Sequence, residues 1–317
     1  MNYKSIADLA TTLRQNLHRI PRDVEVIVGV PRSGLLLANM ISLELNLPLT
    51  DVDAFIKGNI YQSGITRRLK KVHASNARPE TWKKVLIVDD SVASGRSLNV
   101  IKDQLSTVKM NVKIIYLVAY VLAETKALVD IYFEEIKMPR MFEWNVLHHP
   151  LLKYCCVDID GVLCEDPYDW QNDDGKEYSR FIKNAVSRHK PTHPIGWIVT
   201  SRLEKYRNET KEWLDRLNID YGQLLMLDVP DAVTRRKANK HASFKAEVYK
   251  STDSILFIES EEHQAVEISS LSGKPVLCMT NQNFFEAKKI TYLRPHLHQT
   301  SIFGKIYNKT LRYFKLV

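Results

Sequence analysis

The chain has 317 residues, 44% hydrophobic and 26% charged, a balance that excludes disordered and fibrous polypeptides. No apolar run reaches the roughly 18–20 residues that cross a bilayer, and the opening MNYKSIADLATTLRQ lacks the apolar core of a signal peptide. A formal net charge of +8 favours anionic partners, but no RNP, zinc-finger or helix-turn-helix signature accompanies it, so no nucleic acid is expected among them. Cys155, Cys156, Cys164 and Cys278 have no metal-ligand spacing, which fits a reduced, cytoplasmic protein.

Short β-rich runs alternate with amphipathic segments, the pattern of βαβ units and parallel sheets. Strands are predicted at Val24–Val30, Val85–Val88, Val112–Val121, Tyr154–Ile159, Gly196–Val199, Ile255–Ile258 and Pro275–Met279. Helices are predicted at Ile6–Leu17, Leu35–Leu45, Ser97–Leu105, Glu204–Leu217, Phe244–Lys250 and Glu262–Ser270. The basic, aperiodic segment 57–84 reads as a long loop. An irregular stretch, Met138–His149, precedes a boundary expected near Pro150. The expected fold is α/β, with two doubly wound domains at residues 1–150 and 151–295 and a tail at 296–317.

The string from Val85 to Leu98 carries the most chemistry. A buried strand ends in Asp89 and Asp90, at the strand terminus where open α/β sheets bind ligands. Ser91, Val92, Ala93, Ser94 and Gly95 form a small-residue loop that enters a helix at Arg96 and Ser97. Backbone N–H groups there can cradle a phosphate, and adjacent carboxylates suit a vicinal diol. A diol beside a phosphate describes a 5-phosphoribosyl group. The alternative is a capped helix with solvated turn acids. The string resembles the signature of the type I phosphoribosyltransferases, over roughly residues 20–150. Pro31, Arg32, Ser33 and Gly34 look like that family's pyrophosphate loop: Gly34 permits close backbone approach and Arg32 bidentate contacts.

The resemblance implies phosphoribosyl pyrophosphate as donor, Mg²⁺ as cofactor, an oxocarbenium-like state at ribose C1, and inversion to a β linkage. It places Arg67, Arg68, Lys70 and Lys71 in a catalytic lid that neutralises the departing pyrophosphate; a merely solvated basic loop is the alternative. Trp144 stands where purine-type members carry an aromatic hood, so it is expected to stack on a base or a sugar face, or else to serve interdomain packing.

A second constellation begins at Tyr154–Val157, a strand followed by Asp158, Asp160 and Gly161. Alternation along an extended chain puts both carboxylates on one side. The run resembles the first motif of the haloacid dehalogenase superfamily, which implies a Rossmann-like domain in which Asp158 attacks phosphorus and Asp160 serves as general acid and base. Thr200, with Ser201, matches the second motif as a phosphate-binding hydroxyl. Lys245 matches the third, with Lys237 and Lys240 as rivals. Glu259-Ser260 stands where many members have two aspartates, and glutamate remains a hard oxygen ligand. Asp158, Asp160 and Glu259 are the expected Mg²⁺ set. Roughly 30 residues separate Leu163 from the second motif, so the cap is small. A degenerate, non-catalytic domain is the alternative.

The two chemistries fit in series: one domain attaches phosphoribose to an acceptor, the other removes the 5-phosphate. The pairing resembles systems that install ribofuranose in bacterial polysaccharides, so the expected acceptor is a glycan, often lipid-linked. A nucleobase phosphoribosyltransferase fused to a nucleotidase is the first alternative, and a nucleotide- or RNA-binding regulator the second. In the tail, Phe303, Ile306, Tyr307, Thr310, Leu311 and Phe314 form one helical stripe among Lys305, Lys309, Arg312 and Lys315. Such a helix can lie on an anionic membrane, giving peripheral contact, or dock on the protein's own core.

Overall fold

The structure is a computed structural model that describes residues 1–61, 82–107, 111–237 and 240–286, with residues 235–237 and 240 described by main chain alone. The predicted tail lies outside the described residues. The chain divides into two compact units, Asn2–Trp144 and a second beginning at Asn145.

In the first unit the elements run β1 (Asn2–Lys4), α1 (Ile6–Asn16), β2 (Val26–Gly29), α2 (Gly34–Leu45), β3 (Leu49–Asp51), α3 (Val52–Ile56), β4 (Lys84–Ser91), α4 (Arg96–Ser106), β5 (Lys113–Val121), β6 (Ile131–Glu135) and β7 (Arg140–Phe142). Five strands form a parallel sheet in the order β3-β2-β4-β5-β6. Alternation along the strands creates two cores. Ile27, Leu86 and Val88 pack with Leu9, Leu13, Leu37 and Ile41 of α1 and α2. Val26, Val28, Val85 and Ile87 point the other way, to Ile101 and Leu105 of α4. Helices therefore cover both faces, as a parallel sheet requires. A capping box between Ser5 and Asp8 starts α1. The sheet order reverses between β2 and β4, and such a switch point opens a crevice beyond the strand ends.

The second unit contains β8 (Cys155–Val157), α5 (Lys176–Asn184), β9 (Ile195–Leu203), α6 (Arg207–Arg216), β10 (Tyr221–Leu227), α7 (Ala232–Lys237), α8 (Lys240–Ser251), β11 (Leu256–Glu259), α9 (Glu262–Ser272), β12 (Val276–Cys278) and β13 (Phe284–Phe285). Its sheet runs β10-β9-β8-β11-β12-β13, parallel except for β13. The order reverses between β8 and β11, so their C-terminal ends frame the crevice. Cys156, Val199, Phe257 and Val276 on one face meet Ala242, Ala246 and Tyr249 of α8.

Several elements depart from the sequence expectation. Met138–His149 is not irregular throughout: Arg140–Phe142 pairs in parallel with Asn2–Lys4, and Glu143–His148 forms a 3-10 helix. Strands β3, β6 and β10 and helix α5 were not expected from periodicity. β3 is only three residues long, and β6 alternates weakly at a sheet edge. Helix α5 buries only Tyr178, Phe181 and Ile182. Among the described residues no helix is long and apolar enough to cross a membrane.

Candidate active sites

At the first switch point, the loop after β2 closes on the end of β4. Gly34 makes this approach possible, because a Cβ there would fall 2.7 Å from the Val88 carbonyl oxygen and 2.8 Å from Asp89 Oδ1. The neighbouring Ser33 hydroxyl donates to Asp90 Oδ1 at 2.7 Å. Trp144 Nε1 donates to Asp90 Oδ2 at 2.9 Å, and Ser91 Oγ donates to the same oxygen at 3.3 Å. Asp89 Oδ1 accepts from the Asp90 amide at 2.8 Å. Burial pushes the Asp89 carboxyl well above its ordinary range, and the adjacent Asp90 charge adds to the effect.

The loop after β4 is held from beneath. The Val92 amide donates to the Tyr120 carbonyl at 2.9 Å, and the buried Arg140 donates from Nη2 to the Val92 carbonyl at 2.8 Å. Gly95, at φ +76°, caps α4 without a side chain, and the Arg96 amide of the first turn donates to Ser94 Oγ at 3.5 Å. Ala93, Ser94, Arg96 and Ser97 are exposed around it, and Pro31 and Arg32 are exposed on the facing loop. The structure thus brings together Ser33, Gly34, Asp89, Asp90, Ser91 and Trp144. Arg67, Arg68, Lys70 and Lys71 lie outside the described residues. Trp144 stacks on Phe142, with centroids 4.9 Å apart at 1°, and Phe142 stacks on Tyr120. Its indole N–H is tied to an acid of the proposed ribose site, a role that sequence reasoning missed.

The second crevice is built around an ammonium. Lys245, on α8, donates to Asp158 Oδ2 at 2.6 Å, Glu259 Oε2 at 2.8 Å and Gln264 Oε1 at 3.0 Å. All three ionisable groups are buried. The Asp158 carboxyl is pushed up to about 7: burial dominates, Lys245 opposes it, and Glu259 and Asp160 add repulsion. Burial disfavours the Lys245 charge, yet the two carboxylates hold its pKa above the usual lysine value. The rival lysines, Lys237 and Lys240, have no described side chains. Gly161, at φ +74°, turns the chain away where any Cβ would strike the Ser260 side chain.

Asp160 is held by a residue to which the sequence reading gave no role. Arg202 reaches Asp160 Oδ1 from Nη2 at 2.6 Å and from Nε at 3.1 Å, with Oδ2 at 3.2 Å from Nε. Arg202 is fully buried and lies over the Phe181 and Trp213 rings. A signal existed: strand alternation puts residues 200 and 202 on one face, so Arg202 follows Thr200 toward the site. The Arg202 amide donates to Thr200 Oγ1 at 3.2 Å. A cavity of about 210 Å³ is lined by Asp158, Asp160, Thr200, Ser201, Lys245 and Glu259, among others.

Among the described residues no group of three or more His, Cys, Asp or Glu side chains is placed to hold an ion, and the Asp160 carboxylate of the expected set faces Arg202. Asp158 and Glu259 remain as two buried carboxylates sharing one cation. Mg²⁺ is commonly bound by one or two carboxylates with waters completing its shell, so this donor set fits it.

Comparison with known proteins bears on the first unit. The profile of the phosphoribosyl transferase domain family matches residues 2–150. The chain is therefore an α/β protein with a type I phosphoribosyltransferase domain at its N-terminus. Xanthine-guanine-hypoxanthine phosphoribosyltransferase from Helicobacter pylori is similar over 46% of this chain and 92% of its own, at 20% identity and a TM-score of 0.32. A purine phosphoribosyltransferase from Pyrococcus horikoshii matches over 45% and 92%, at 21% identity and a TM-score of 0.32. UMP synthase from Leishmania donovani matches over 44% of this chain and 27% of its own, at 20% identity and a TM-score of 0.28. Comparison with curated proteins returned no match.

Proposed function

We propose that the chain transfers 5-phosphoribose from phosphoribosyl pyrophosphate to a polysaccharide or lipid-linked glycan, then removes the 5-phosphate from the product. In the first step an acceptor hydroxyl oxygen bonds ribose C1 with inversion as the bond to pyrophosphate breaks, and the hydroxyl proton passes to the departing pyrophosphate. Asp89 and Asp90 orient the ribose hydroxyls, and the Ser91–Ser97 loop holds the 5-phosphate with backbone amides. Arg32 lies beside the departing pyrophosphate.

The second unit then acts as a haloacid dehalogenase-type phosphatase. Asp158 attacks phosphorus, the bond to the ribose C5 oxygen breaks as Asp160 gives that oxygen a proton, and water that returns a proton to Asp160 then releases phosphate from the aspartyl ester. Lys245 screens the nucleophile from the incoming dianion. A bound Mg²⁺, held by Asp158 and Glu259, would supply charge stabilisation to the phosphate oxygens. The observation that carries this step is the Asp158–Lys245–Glu259 cluster at the switch point of a doubly wound sheet.

The test is product analysis by mass spectrometry after incubation with phosphoribosyl pyrophosphate, Mg²⁺ and either glycan acceptors or nucleobases. Asp158→Asn is expected to accumulate a product that keeps its 5-phosphate. The double change Asp89→Asn, Asp90→Asn is expected to abolish transfer while hydrolysis of a model phosphomonoester continues. Efficient nucleotide formation from a free base would overturn the glycan acceptor. Complete dephosphorylation by Asp158→Asn would overturn the phosphatase step.

A further inference from the structure

Beside the phosphatase crevice lies a second cavity of about 240 Å³, lined by Tyr168, Trp170, Phe181, Ala185 and Val186, among others. Tyr168 and Trp170 are 66% and 65% exposed, although Trp82 and Trp213 are buried at 3% and 0%. Their rings lie nearly parallel, 9° apart with centroids separated by 6.4 Å, on the short 3-10 turn Asp169–Gln171. Two large aromatic faces held this way make an apolar platform with no fold element of the described residues over it, the kind of surface that marks a ligand site.

We propose that this cavity is the acceptor subsite of the phosphatase, where a neutral sugar residue adjoining the phosphoribose stacks on Tyr168 and Trp170. The inference rests on the phosphatase reading of the neighbouring crevice. Three observations support it. Asp166 lines both cavities, so the two adjoin. Glu165, Asp166 and Glu177 face the cavity against one cation, Arg180, which is committed to Glu177 through Nη1 at 2.7 and 2.8 Å. The excess of carboxylates repels anionic ligands and accepts hydrogen bonds from hydroxyls. Aromatic faces bordered by such acceptors and by the amides of Gln171 and Asn184 complement the apolar face and hydroxyl edge of a sugar ring.

The full-length protein tests this directly, by ligand-observed NMR with a phosphate-free β-ribofuranosyl disaccharide and with adenosine, and by phosphatase kinetics with the 5-phosphorylated disaccharide and with ribose 5-phosphate. The wild type is expected to bind the disaccharide and to show a lower KM for its phosphorylated form than for ribose 5-phosphate. Trp170→Ala and Tyr168→Ala are each expected to weaken disaccharide binding and to raise that KM by about tenfold, which collapses the preference. Wild-type disaccharide binding in both variants overturns the subsite, as does a wild type that binds adenosine and not the disaccharide. Disaccharide binding that depends on Trp170, without hydrolysis of either phosphate, supports the subsite and overturns the phosphatase reading instead. Hydrolysis of both phosphates with equal KM overturns the subsite alone.

Discussion

Arg202 grips Asp160 through two nitrogens, at distances from 2.6 to 3.2 Å, while its own guanidinium lies over the Phe181 and Trp213 rings. The pair fixes the direction of the Asp160 carboxylate, so Arg202 is a positioning residue for the proposed acid–base group. A lysine retains the charge but loses the planar fork. Arg202→Lys is therefore expected to lower phosphatase kcat by about 10- to 100-fold with KM changed much less. Steady-state kinetics on a small phosphomonoester decides this; equal changes in kcat and KM would show that Arg202 does not position the reacting group.

The Lys245 ammonium neutralises two buried carboxylates at once. Removing it leaves Asp158 and Glu259 facing each other without a counter-charge, a loss of about 3–5 kcal/mol by analogy with other broken buried pairs. Lys245→Met is expected to show that loss in denaturant unfolding. The combination with Asp158→Asn should be less damaging than the sum of the single changes, by about 1–3 kcal/mol. Additive effects would mean that the ion pair carries no coupling energy.

Much of this arrangement was legible because acids clustered at strand ends leave a local signature. Val85–Asp90 and Tyr154–Asp160 each read as an apolar strand running into carboxylates, and both strands sit beside a switch point. The sequence could not show what holds those acids. Trp144 lies 54 residues from Asp90, and Arg202 lies 42 from Asp160. Such partners are set by the crossing of distant elements, and their one local trace was the alternation that puts Arg202 on the same strand face as Thr200. The short strands β3 and β6 were obscure for a related reason: at the flank of a sheet, fewer apolar positions are needed, so the alternation that reveals a strand is weak.

Trp144 offers a separate test of the first site. Trp144→Phe keeps a ring against Phe142 but removes the N–H that binds Asp90 Oδ2. The lost hydrogen bond to a charged acceptor corresponds to about 1.5–3 kcal/mol at most. If Asp90 holds the ribose as proposed, KM for phosphoribosyl pyrophosphate is expected to rise about tenfold, because Asp90 loses one of the contacts that orient its carboxylate. The measurement is initial-rate transfer at varied donor concentration. An unchanged KM would assign Trp144 to packing alone.

Asp89 makes a prediction about pH. Its buried carboxyl holds its proton more tightly in the folded protein than its ordinary value of 3.8 allows. The protonated group therefore contributes stability that is fully present below about pH 4, and that contribution is lost as pH rises through the folded-state value. Above that point the ionised, buried carboxylate is a standing destabilisation. The amide that Asp89→Asn introduces is neutral throughout, and its oxygen can still accept from the Asp90 backbone. The melting temperatures of variant and wild type are expected to coincide near pH 4 and to separate in the variant's favour as pH increases, by about 2–4 °C for each kcal/mol of difference. Curves that stay parallel from pH 4 to 8 would show that Asp89 ionises without penalty, and would remove burial as the cause of its shift.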